Sequence, residues 1–307
     1  MPLILPNKLP AVRALYDENI FVMEPDQAAH QDIRPLEILI VNLMPNKIIT
    51  ETQLARVLAN SPLQVKLTLL RTGTRKSNHT PPEHMIAFYR TLDEVREKRF
   101  DGMIITGAPI EMLEYNQVDY WDELTEMLEF GSKNVYSTIY LCWAAMAALY
   151  CNFGIEKYKM PQKLHGVFAH SVTRPSNPLM RGIDETFYVP HSRQAYVRKE
   201  DVQEHPELRV LAESEEAGLH ILATDNGREI YIFGHMEYDK ETLLNEYNRD
   251  IEKKPPMPRN YFIGNDPAKG INFCWRSAGH LFYLNWLNYY VYQQTPYNLN
   301  ELSRRSR

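Results

Sequence analysis

The chain has few cysteines and no long apolar run. Cys142, Cys151 and Cys274 are its three cysteines. Any pairing leaves one over, which argues against a disulfide framework and for a reducing compartment. No stretch reaches the length of a membrane span, and the first residues lack the basic-then-apolar pattern of a secretory signal. The expected setting is therefore cytoplasmic, with no membrane partner. Charge of one sign is also scarce. Thirty-four Lys and Arg stand against 39 Asp and Glu, a formal net charge of -5, so bulk attraction for nucleic acid is not expected. There is no internal repeat, no Gly-rich dinucleotide fingerprint and no phosphate loop ending in Gly-Lys-Ser/Thr. No metal site stands out. His165 and His170 lack a Cys or carboxylate at ligand spacing, His79 and His84 lie in or beside a loop, and His205 and His220 read as ordinary polar positions. No metal and no resident cofactor are expected.

What is present reads as α/β. Leu36 to Val41, Val65 to Leu70, Phe100 to Ile105 and Val135 to Leu141 are apolar runs with helical segments between them. Such runs, apolar throughout, suit a mostly parallel sheet covered by helices on both faces. Helices are expected after Pro45, from Glu83 to about Glu97, from Tyr120 to Phe130 with Gly131 as C-cap, from Lys240 to Asp250, and from His280 to Gln293. Residues 1–34, with prolines at 2, 6, 10 and 25, read as an extended N-terminal arm. Residues 35–300 read as one catalytic domain with insertions, and 301–307 as a tail. Pro161 to Pro190 reads as small strands and turns over a rim. Leu208 to Leu211, Leu219 to Ala223 and Ile230 to Gly234 read as strands, with Asp225-Asn226-Gly227-Arg228 as a hairpin turn.

Cys142 lies where a strand-like run meets the helix-like Trp143-Ala144-Ala145-Met146-Ala147-Ala148-Leu149. A thiol on a sharp strand-to-helix turn projects from the sheet, and the first helical N–H groups point at whatever bonds to it. The alternative is a core cysteine. His235 and Glu237 follow the apolar strand at Ile230 and are two apart, so they share a face if the strand continues. Imidazole and carboxylate so placed make a base and its orienter, given a nucleophile opposite. The alternative is a solvated strand end. For an oxyanion, the N–H of Trp143 comes first, and the Gly107-Ala108-Pro109-Ile110 loop could supply a second donor. Pro109 is excluded because it has no N–H, and Ala108 is the choice within the loop. A strain-relieving turn would also account for Gly107. His191-Ser192-Arg193 is a polar cluster, either a substrate rim or a solvated loop. Glu246 and Arg249 would face together on a helix, as an intrahelical ion pair or as a substrate carboxylate site. Lys163 is isolated and reads as surface.

Several long segments carry a family resemblance. They include Asn19-Ile20-Phe21-Val22-Met23, Gln31-Asp32-Ile33-Arg34-Pro35, Asn42-Leu43-Met44-Pro45, Asp101 to Pro109, Val118-Asp119-Tyr120-Trp121, Pro190-His191-Ser192-Arg193 and Asn285 to Tyr290. In these the chain resembles the homoserine O-acyltransferases of bacterial methionine biosynthesis, built on a class I glutamine-amidotransferase-like fold. The resemblance implies Cys142 as acyl-thioester nucleophile, His235 as proton acceptor and Glu237 as its partner. It implies substrate contacts at Lys163, Ser192 and Arg249, with Glu246 beside the last, and a homodimer. It implies that Glu111 tunes the acyl donor, Glu there marking acetyl-type members and Gly succinyl-type, with Ser192 a further rim position. A fixed anion repels a succinyl carboxylate and fills its space, whereas acetyl has neither charge nor length. Ala144, Met146 and Met236 depart from the family pattern, where Gly, Gln and Pro or Ser are common. The expected activity is acetyl transfer from acetyl-CoA to the hydroxyl of L-homoserine. The alternatives are succinyl transfer, a thiol hydrolase of similar fold, and a non-catalytic binding protein.

Overall fold

The computed structural model describes residues 3–74, 80–253 and 255–302. His79, part of the Thr72 to Pro82 loop and most of the tail lie outside the described residues. The four apolar runs are parallel neighbours in one sheet. β3 (Leu36–Val41) pairs with β4 (Val65–Leu70) and with β6 (Phe100–Ile105), and β6 pairs with β7 (Val135–Leu141). Their side chains alternate between two cores. Ile38 and Ile40 enter one, Leu39 and Val41 the other, as the two-residue strand period requires. The first core is closed by α3 (Lys47–Ala59) and α10 (Arg276–Asn285), the second by α6 (Trp121–Asn134) and α7 (Trp143–Phe153). Burying each Leu or Ile here contributes roughly 1.5–3 kcal/mol.

The chain then departs from pure α/β. β8 (Tyr158–Val172) and β9 (Thr186–Tyr196) form a long antiparallel hairpin instead of the short strands expected there. β10 (Leu208–Ser214), β11 (Gly218–Thr224) and β12 (Glu229–Ile232) follow antiparallel, and β12 returns parallel beside β7. The expected hairpin turn at Asp225 to Arg228 joins β11 to β12, with Gly227 at φ 64°. With β1 (Leu3–Ile4) and β2 (Val22–Met23), the order is β2-β1-β4-β3-β6-β7-β12-β11-β10-β8-β9. α8 (Lys199–Gln203) and α9 (Thr242–Arg249) complete this half.

Several expectations are corrected. Residues 3–34 are not an extended arm. α1 (Pro10–Asp17) packs on the first core, α2 (Pro25–Ala29) follows, and β1 and β2 add to the sheet edge. The prolines at 10 and 25 start helices, where a missing N–H costs nothing. Arg34 then forks onto the fully buried Asp101 at 2.8 and 2.9 Å, tying this segment to β6. The helix expected over Glu83 to Glu97 is broken. α4 (Pro82–Phe88) ends in β5 (Tyr89–Arg90), which pairs with β4, and a Thr91–Glu94 capping box restarts the chain as α5 (Leu92–Val95). Gly131 is no C-cap. It lies inside α6, where a Cβ would fall 2.3 Å from Met103 Cε. The last helix begins at Arg276 and passes into a π-helical turn over Trp286–Tyr292.

Candidate active site

The strand ends of β6, β7 and β12 are neighbours in the sheet, and each delivers one part of the site. This is the carboxyl edge, where open α/β sheets place their chemistry. Cys142 sits between β7 and α7 at φ 51°, ψ -113°, a strained conformation for a residue with a Cβ. Its N–H donates to Ile232 O at 2.6 Å and its carbonyl accepts from Ala145 N at 3.1 Å. These bonds hold the turn sharp, so the thiol stands at the helix start beside the Trp143 N–H. The loop after β6 passes close by. A Cβ on Gly107 would lie 3.1 Å from Cys142 Cβ and 3.5 Å from Trp143 N. A side chain at position 107 would therefore crowd the nucleophile. Thr106 Oγ1 accepts from Leu43 N at 2.8 Å and donates to Gly107 O at 3.2 Å, stiffening the loop that carries the buried Ala108.

His235 and Glu237 do meet, but not by strand alternation. β12 ends at Ile232, and Met236 and Glu237 form a turn. That turn brings Glu237 Oε1 to 2.7 Å from His235 Nδ1. His235 N donates to Pro190 O at 2.8 Å, fixing the ring's base. A side-chain hydrogen bond links His235 to Cys142. With Nδ1 on Glu237, Nε2 is the atom left for the thiol. Burial alone would lower the imidazole's pKa. The charges of Glu237 and Cys142 and their hydrogen bonds outweigh it and hold His235 well above its ordinary value.

Tyr238, unread in the sequence, stacks on His235 with ring centroids 4.1 Å apart and planes 11° apart. Its hydroxyl donates to Glu246 Oε1 at 3.1 Å. The second carboxylate oxygen of Glu246 accepts from Ser192 Oγ and lies 3.6 Å from Lys163 Nζ. Lys163, Ser192, Tyr238 and Glu246 therefore form one polar cluster beside the imidazole, and Lys163 is not the surface residue its isolation suggested. Arg249 is not in it. Its guanidinium is exposed and forks onto Asp250, so no ion pair to Glu246 forms. Glu111 is half-buried, and its carbonyl accepts from Lys157 Nζ at 3.0 Å.

The histidines are a second correction. His170, His191 and His220 are far apart in sequence, yet their ring nitrogens lie within 4.8 Å of one another in the interior. Burial lowers His170 to about 4 and puts the other two well below their ordinary value. The hydrogen bonds read as a chain rather than a ligand set. His170 Nδ1 donates to Phe168 O at 2.9 Å, so its Nε2 accepts from His191 Nε2 at 3.1 Å. His191 Nδ1 accepts from Arg193 Nε, and His220 Nδ1 from Gly234 N. These tautomers follow from the network. Both of the latter rings then carry their proton at Nε2, where a metal would need a lone pair.

A family model described as Homoserine O-succinyltransferase matches residues 2–297. A protein of Thermotoga neapolitana named homoserine O-acetyltransferase is 54% identical over 98% of this chain and 100% of its own length. One of Desulfitobacterium hafniense with the same name is 52% identical over 99% of this chain and 100% of its own. One of Acetivibrio thermocellus, also so named, is 50% identical over 98% and 100%. Among solved structures, a glutamine amidotransferase of Thermotoga maritima aligns with TM-score 0.52 at 11% identity, over 83% of this chain and 98% of that one. A glutamine amido transferase of Methylobacillus flagellatus aligns with TM-score 0.54 at 13% identity, over 83% and 95%. At such identities these two speak to the fold, which is of the class I glutamine-amidotransferase type. With the match running nearly end to end, the chain belongs to the homoserine O-succinyltransferase family of acyltransferases.

Proposed function

We propose that this protein is a homoserine O-acetyltransferase that works through a Cys142 thioester. The observation that carries the reading is the strained Cys142 at the head of α7, hydrogen-bonded to a His235 that Glu237 orients. Half or more of the sequence is shared with relatives named for this activity. A thiolate paired with an imidazolium attacks the thioester carbonyl of acetyl-CoA. Charge collects on the carbonyl oxygen, which the Trp143 N–H and a second N–H from the Ala108 loop stabilise. The C–S bond to CoA breaks, His235 protonates the leaving thiolate, and the acetyl group stays on Cys142.

L-Homoserine then enters beside Tyr238, where Lys163, Ser192 and Glu246 converge. Arg249 takes its carboxylate, leaving Asp250 to do so. His235, now neutral, removes the hydroxyl proton. The oxygen attacks the thioester, the Cys142 C–S bond breaks, and O-acetylhomoserine leaves. No resident cofactor takes part. The reading carries with it a cytoplasmic homodimer as setting. Among the described residues no helix is long and apolar enough to cross a membrane.

The second reading is succinyl transfer, which the family description favours. Glu111 separates the two. It follows the Gly107–Ile110 loop, and a carboxylate beside the acyl group would repel the free carboxylate of a succinyl chain. The test is kcat/KM for acetyl-CoA and succinyl-CoA at saturating homoserine. The parent prefers acetyl-CoA, and Glu111→Gly moves the ratio toward succinyl by roughly ten- to thousand-fold. A parent that prefers succinyl-CoA establishes the second reading, and an unmoved ratio removes Glu111 from donor choice.

A further inference from the structure

β9 carries two sets of side chains. Ser192 points to the Glu246 cluster, while His191 and Arg193, one place either side, point inward. Arg193 is 2% exposed. Its guanidinium donates to Ala195 O at 2.6 Å, to Ala217 O at 2.5 Å and to His191 Nδ1 at 3.4 Å. Among the described residues no carboxylate forms a salt bridge with it. Two carbonyls and a neutral imidazole engage each of its three nitrogens but do not offset its charge. An uncompensated buried charge is costly, so a cation kept here needs an anion within reach of its field.

That anion is at the nucleophile. Arg193 bonds His191, whose Nε2 lies 2.6 Å from where a Cβ on Gly234 would stand, and Gly234 precedes His235. The guanidinium is thus one imidazole behind the base, and the charge it senses is that of Cys142. Burial pulls it down to about 10, so it stays charged at neutral pH. His170, His191 and His220, the other titratable groups packed around it, are held neutral by burial. A thiolate, an imidazolium and the Glu237 carboxylate together leave one negative charge in a buried site. The guanidinium brings that sum to zero.

We propose that Arg193 is the buried counter-charge of the site, a positioning residue that favours the thiolate–imidazolium form of Cys142 and His235 without contacting substrate. The proposal rests on the role given to Cys142 above. Its test is the rate of Cys142 alkylation by the neutral reagent iodoacetamide as a function of pH, assigned by peptide mass. Cys151 and Cys274 serve as internal controls. Arg193→Gln and Arg193→Met slow alkylation of Cys142 at neutral pH by about tenfold or more, and the gap closes at alkaline pH, where a thiol ionises unaided. Arg193→Lys keeps the charge, loses the fork and stays within about threefold of the parent. A purely structural role predicts the reverse, with Lys as damaging as Gln and thiol reactivity unmoved in whatever folds.

Neutral variants that fold and alkylate like the parent overturn the proposal. So does a Lys variant that fails to fold alongside them, since that assigns Arg193 to its carbonyl bonds. Folded Lys with parent-like alkylation, where the neutral variants do not fold, supports it by locating the requirement in the charge. Transfer of acetyl from acetyl-CoA onto the parent is read separately. A parent that is alkylated in an Arg193-dependent way but never acylated sinks the transferase reading and leaves the counter-charge standing.

Discussion

His235 and Glu237 do different work at 2.7 Å from one another. In the proposed mechanism His235 moves the proton, and Glu237 fixes which nitrogen is free and stabilises the charged ring. His235→Asn should therefore lower turnover by about 10²–10⁴-fold. Glu237→Gln keeps the hydrogen-bonding shape but loses the charge, and should cost a large part of turnover, with steeper loss toward low pH. Circular dichroism checks that both fold, and a His235→Asn variant with parental turnover contradicts the role. Cys142 was legible because its signal is local. A β-branched run meeting an alanine-rich run fixes a strand-to-helix junction with the thiol at its corner. Tyr238 was not legible, because stacking on His235 depends on a turn that the pattern of alternation hid. Arg249 illustrates the opposite error. Its spacing to Glu246 is right for an ion pair, yet Glu246 is engaged by Ser192 and Tyr238, and Asp250 is the nearer carboxylate.

The turn that holds His235 and Glu237 is shaped by an element far away in sequence. α10 crosses it so closely that a Cβ on Gly279 would lie 2.4 Å from Met236 O. The obstacle is backbone, so it cannot rotate away. Gly279→Ala should push α10 or the turn aside, destabilising the fold by about 1–3 kcal/mol. It should also lower turnover more than stability alone explains. Urea midpoints and turnover measured on the same variant check this, and unchanged turnover in a folded Gly279→Ala protein contradicts it. Elements built from short-range pattern were legible, as β3, β4, β6 and β7 show. The break at Tyr89 and the length of β8 and β9 were not. Tyr89–Arg90 is extended because β4 offers it a partner, and β8 runs long because β9 pairs with it at Tyr158 and Lys159 and again from Leu164 to Ser171. Helical periodicity cannot register a partner that the tertiary fold supplies.

On the scale of the whole molecule, the sheet buries more histidine than its sequence suggests. His165 and His170 are lowered to about 4 by burial, and His191 and His220 are held well below their ordinary value for the same cause. An unfolded chain takes these protons near 6.5, whereas the fold refuses them. The stability they contribute is therefore complete above about pH 6.5 and is lost as pH falls toward 4. His235 has the opposite sign, its proton being held more tightly in the fold. Its contribution is present at low pH and lost as pH rises through its raised value, so it adds no slope between 6.5 and 4. Thermal unfolding across that range should show a falling Tm, and His170→Gln should flatten the slope. A Tm that holds steady or climbs as pH falls contradicts it. The α/β class was legible because every central strand is apolar on both sides. The incorporation of residues 3–34 into the sheet edge was not, since Leu3–Ile4 and Val22–Met23 are too short to announce themselves without β4 beside them.

The central claim is that acetyl passes through Cys142. The most direct measurement is the intact mass of the protein after mixing with acetyl-CoA in the absence of homoserine. One acetyl group should add to the parent and to Cys151→Ala and Cys274→Ala, none should add to Cys142→Ala, and homoserine should discharge it. An adduct that survives the loss of Cys142, or a parent that takes up no acetyl while turning over substrate, would contradict the account.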